Sequence, residues 1–109
     1  MGTGEALLVN QSDAELLVAI QITYRDDVET LVEAGQTATL SRIGGGFGVA
    51  PMICDETGSL RVERADDAAI VIAHAACQES AWVGEVVGDY AKNWTITVTQ
   101  AMVDAATSP

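Results

Sequence analysis

The chain has 109 residues, with sixteen acids against five bases and a formal net charge of −11. One domain is expected at that length, and an apolar content of 49% excludes a disordered chain. The charge makes nucleic acid and anionic lipid headgroups unfavourable partners, no apolar run is long enough to cross a membrane as a helix, and the start Met1–Glu5 shows no signal peptide.

Residues 6–10 predict a first strand, closed by the polar turn Asn10-Gln11-Ser12-Asp13. The second strand, over 14–24, is the clearest. Leu16, Val18, Ile20, Ile22 and Tyr24 are large and apolar at period two, which lines one face of a strand and scatters around a helix. Residues 28–32 and 37–43 predict strands three and four, separated by the turn Ala34-Gly35-Gln36. The glycine cluster Gly44-Gly45-Gly46-Phe47-Gly48 lacks the following Lys-Ser/Thr of a phosphate loop and reads as a flexible connector between sheets or a ligand-approach loop.

Residues 49–54 predict an edge or bulged strand, because Pro51 interrupts them. Asp55–Gly58 reads as a hairpin turn, and 59–64 alternate again. Residues 68–75 are apolar on both faces, the expectation for a central strand, and β-branched Ile70-Val71-Ile72 argues against a helix there. Residues 82–87 carry Trp82, Val83, Val86 and Val87. Residues 93–99 place Trp94, Ile96 and Val98 inside and three threonines outside. Residues 101–109 read as a frayed tail or a short terminal turn.

Short strands with a turn every 8–12 residues or so predict a single domain over 1–109, an antiparallel β-sandwich of about eight strands, with a jelly-roll-like small barrel as the runner-up. Ile20, Ile22, Val71, Trp94 and Ile96 are the expected core.

The chemistry-bearing residues are few. Cys54 and Cys77 are compatible with one disulfide or with two buried thiols. His74 stands three residues before Cys77, so the two side chains start on opposite faces of a strand and make a poor nucleophile pair. The acid pairs Asp26-Asp27, Asp55-Glu56 and Asp66-Asp67 fall in turns without a calcium-loop pattern. Asn10-Gln11-Ser12 and Asn93-Trp94-Thr95 match the glycosylation pattern by chance. No nucleophile, base and orienting group can be assembled, so the expectation is a non-enzyme without metal or cofactor. Trp82 and Tyr90, which flank 83–89 and are expected at one end of the sandwich, and Phe47 in the glycine cluster, are the candidate partner-binding residues.

The strand ending Val9-Asn10-Gln11-Ser12, the turn Gly35-Gln36-Thr37 and the late strand Trp94-Thr95-Ile96-Thr97-Val98 resemble the order of elements in the aegerolysins and their bacterial insecticidal relatives. That resemblance implies a small acidic sandwich that recognises membrane lipids, often with a pore-forming partner. The family's tryptophan- and cysteine-rich stretch is absent; Ala75-Ala76-Cys77-Gln78-Glu79-Ser80-Ala81-Trp82 stands there instead, and no functional residue carries over. The leading expectation is a binding or assembly module that meets a protein partner or a second copy of itself as a homo-oligomer. The alternative is a lipid- or glycan-recognising, toxin-like sandwich.

Overall fold

In the computed structural model, residues 2–23, 25–44 and 48–107 are described; Tyr24 and Phe47 lie outside them. Eight strands form two four-stranded sheets. The strands are β1 (Thr3–Gln11), β2 (Leu16–Ile22), β3 (Val28–Val32), β4 (Thr37–Gly44), β5 (Thr57–Arg64), β6 (Asp67–Ala75), β7 (Val83–Gly88) and β8 (Ala91–Thr99). Sheet A has the order β4-β1-β8-β7 and sheet B the order β3-β2-β5-β6. The fold is the expected all-β sandwich, antiparallel at every pairing except one. β1 and β8 run parallel, with Ala6 beside Trp94 and Asn10 beside Val98.

Alternation builds the core. Ala6 and Leu8 of β1, Trp94 and Val98 of β8, and Leu40 and Ile43 of β4 form the inner rows of sheet A. Leu16, Val18, Ile20 and Ile22 of β2, with Leu60 and Val62 of β5 and Val32 of β3, form those of sheet B. The two faces bury each other in the manner of sheet-on-sheet packing. A bulge at Leu40, between the partners of Ala6 and Leu7, keeps both Leu40 and Ile43 inside. Asn10 is the fully buried polar side chain among the described residues; it donates to the carbonyls of Ala14 (2.8 Å) and Val32 (3.1 Å), tying the end of β1 to the approach to β2 and the end of β3 in the other sheet.

Several expectations are corrected. Residues 49–54 form no strand. Pro51 is buried, Ile53–Glu56 make a single helical turn, α1, and β5 starts directly at Thr57 where a hairpin turn was expected. The Thr57 hydroxyl donates to the Ile53 carbonyl at 2.7 Å and closes that turn. Residues 100–107 are not frayed but helical, as α2 (Gln100–Thr107). Ala101, Ala105 and Ala106 favour a helix, and Thr99 Oγ1 accepts from the Met102 N–H at 3.3 Å as an N-cap would. Val103 is buried against the core, and the helix packs on β6 and β8.

β6 is not central. It is the edge of sheet B, and no residue in it is fully buried. Val71 is accordingly only half-buried and leaves the core list; Ile96 is half-buried but packs on the core. Cys54 and Cys77 are joined in a disulfide, Cα–Cα 5.5 Å, that ties α1 to the segment leaving β6.

Candidate functional site

The outer faces of the two sheets distribute their charge differently. On sheet B, Ala19 lies between Glu29 and Arg61, Leu17 lies beside Glu63, and Arg61 and Glu63 form an ion pair at 3.0 Å. Arg64 and Asp66 add a two-bonded pair at the β5–β6 turn, at 3.0 and 3.2 Å. That hydrogen-bonded guanidinium holds the Asp66 carboxyl below its ordinary range.

The outer face of sheet A gathers its charge into one end row and leaves the other rows uncharged. The rows across its strands follow from register. Thr39, Leu7, Thr95 and Val83 stand side by side from β4 to β7. Thr37, Val9 and Thr97 form the next row, and Gln11 and Thr99 the last. These side chains project away from the core because their neighbours Ala6, Leu8, Trp94 and Val98 point into it. Thr37, Thr39 and Thr97 are exposed, and Val83 is 71% exposed. Charge appears only at one end, in a row running Arg42, Glu5, Asn93 and Glu85. There the Glu5 N–H donates to Asn93 Oδ1 at 3.0 Å. A shallow cleft of about 300 Å³ sits over this row, with Arg42 and Asn93 in its lining.

A contiguous threonine and aliphatic surface is unusual on a chain of charge −11. Threonine keeps such a face wettable while presenting methyl groups, and no ammonium or carboxylate must be desolvated when it is covered. Strand β7 extends the surface to an unpaired edge. All six of its residues are exposed, and Glu85 is its one charged residue.

The sequence-predicted binding residues are not brought together. Trp82 is 7% exposed and belongs to the core, which corrects its expected place on the surface. Together with Ile96 and Met102 it lines an apolar cleft of about 190 Å³ between β5, β6, β8 and α2. Tyr90 is 55% exposed on the β7–β8 turn, where its backbone is left-handed at φ 59°. Phe47 lies outside the described residues. His74 is exposed and pairs in register with Arg61, while Cys77 is held by Cys54. Asn10 is sealed in the core, so its glycosylation pattern is unreachable in the folded chain. Among the described residues, no group of three or more His, Cys, Asp or Glu is placed to hold a metal ion, and no helix is long and apolar enough to cross a membrane.

The threonine alternations at 37–39 and 95–99 are visible in the sequence. That β1 inserts Leu7 and Val9 between them depends on which strands adjoin, and no local pattern carries that. Compared with protein-family models, curated proteins and solved structures, the chain matches none.

Proposed function

We propose that this chain is a non-enzymatic assembly module that meets its partner through the outer face of sheet A. The observation that carries the reading is the charge-free patch built from Thr37, Thr39, Leu7, Val9, Thr95, Thr97 and Val83 on a strongly acidic molecule. Charge depletion at the centre of a patch, with polar residues at its rim, is the composition of interface cores. The partner is a protein surface, in the first place a second copy of the chain, since closed two-fold pairs are the commonest assemblies.

The test is the solution mass of the full chain from micromolar to millimolar concentration, beside Thr97→Asp. Thr97 is exposed, so the substitution leaves the core intact while putting a carboxylate at the centre of the patch. Concentration-dependent association that the variant suppresses is expected. A wild-type chain that stays monomeric throughout, or a variant that associates equally well, overturns the reading.

A second reading, recognition of a neutral lipid or glycan, draws on the β7–β8 hairpin. Val86 and Val87 there are 73% and 53% exposed, close in sequence to exposed Tyr90. Flotation with phosphatidylcholine vesicles, lost in Tyr90→Ser, is the outcome that reading requires.

A further inference from the structure

The row Arg42, Glu5, Asn93, Glu85 is self-complementary when reversed, and from it we infer that two copies pack sheet A against sheet A about a two-fold axis parallel to the strands, midway between β1 and β8. The inference rests on the assembly reading above and names its partner and geometry. A two-fold axis in that position lays β4 of one copy over β7 of the other and β1 over β8. The order β4-β1-β8-β7 of one sheet then faces β7-β8-β1-β4 of its partner. Each Arg42 meets the partner's Glu85, and each Glu5 meets the partner's Asn93.

The other two-fold axis in the plane of the face runs across the strands. It carries the charged row to the opposite end, over Gln11, Thr99 and Thr37, and leaves Arg42 and Glu85 without opposite charges. The strand-parallel axis converts the one charged row of the face into two opposed ion pairs, one at each lateral edge. The rest of the contact is uncharged: Leu7 lies under the partner's Thr95, and Thr39 under the partner's Val83. Glu5 and Glu85 are the carboxylates of the contact; Glu29 and Glu63 lie on sheet B, and Asp26-Asp27 and Asp66-Asp67 lie in turns away from it. That placement lets two copies of net charge −11 approach.

The size of the face sets the strength. Four strands about 4.8 Å apart and about seven residues of about 3.3 Å each give roughly 440 Å² of flat sheet per copy. Two such faces bury at most roughly 900 Å², below the roughly 1,200 Å² at which stable specific pairs begin, so the dimer is a weak, transient one. Sheets packed this way cross at about 30°, which displaces the edge residues of the end row by roughly 5 Å, a gap that the long Arg42 side chain spans.

The deciding experiment is a charge-swap cycle read by sedimentation equilibrium of the full chain. Arg42→Glu alone and Glu85→Arg alone each set like charges against each other at both edges. Each is expected to raise the dimer dissociation constant about tenfold at low salt. Arg42→Glu combined with Glu85→Arg restores the opposed pairs and is expected to return the constant to within about threefold of wild type. Both positions are on exposed edge strands, and the thermal midpoint of each variant reports that it folds. If Thr97→Asp suppresses association but the double swap gives no rescue, this geometry is wrong and the assembly face stands. If wild type does not associate at all, both fail together.

Discussion

The Ser12 hydroxyl donates a 2.6 Å hydrogen bond to the Asn10 side-chain oxygen, and both side chains are buried. The Ser12 N–H gives the same oxygen a second bond at 3.0 Å, while Asn10 Nδ2 serves the carbonyls of Ala14, Val32 and Glu33. One amide therefore joins the turn after β1, the start of β2 and the end of β3.

Removing that amide orphans several backbone groups in a dry site. Asn10→Ala is expected to cost about 2–4 kcal/mol. Asn10→Asp should cost at least as much, since a carboxylate would face the same carbonyl oxygens. Urea denaturation measures both; an unchanged midpoint in either would show that water serves those groups equally well.

Core and edge should separate cleanly on truncation. Ile20 is 1% exposed at the centre of β2, and Ile20→Ala is expected to cost about 2–5 kcal/mol. Val71 lies half-buried on edge strand β6, and Val71→Ala is expected to cost less than about 1 kcal/mol. Equal costs would contradict the strand order of sheet B.

Reduction should weaken the fold without dissolving it. The Cys54–Cys77 bond spans 23 positions, and a loop of that size stabilises by about 3 kcal/mol in the chain-entropy account. Cys54→Ser combined with Cys77→Ser should show the same loss, and reductant should then have no further effect. Denaturation curves with and without reductant supply the comparison.

Gly4 sits where β1 passes β8. A Cβ there would collide with the Lys92 carbonyl and stand 3.0 Å from Pro51 Cγ. Backbone cannot yield as a flexible side chain can, so Gly4→Ala is expected to cost about 2 kcal/mol or more. A variant as stable as wild type would mean that β1 and β8 are further apart than described.

The charge also predicts a negative result. At −11 the long-range field repels phosphate, so no DNA or RNA binding is expected at physiological salt. Micromolar affinity in a fluorescence-anisotropy titration would refute it.

The strands were legible wherever alternation was strong, as at Leu16–Ile22 and Trp94–Val98. What alternation cannot carry is the order of strands in a sheet. Residues 68–75 are apolar in composition, but alanine contributes little area, and the place of β6 at an edge depends on β5 alone pairing with it. Trp82 was misplaced for a related reason: it precedes an exposed strand but folds back into the core beside α2, a helix hidden in eight residues at the end of the chain. Thr95, Thr97 and Thr99 read as outward from the alternation at 93–99, whereas nothing in 37–43 assigned Thr37 and Thr39 a face. Their assembly into one surface with Leu7 and Val9 required the parallel pairing of strands 88 positions apart in register, Ala6 with Trp94.

That same pairing governs how the molecule bears load. The first and last strands lie side by side and point the same way, so tension applied between the chain ends slides β1 and β8 along each other in opposite directions. Every hydrogen bond between Thr3–Gln11 and Ala91–Thr99 is then strained at once, where a hairpin pulled from its open end would peel one bond at a time. The joint lies in the interior of sheet A, flanked by β4 and β7, so no water-exposed edge offers a place for the rupture to begin. A chain linked at both ends into a larger array would thus hold its shape under pull until this one seam sheared as a unit.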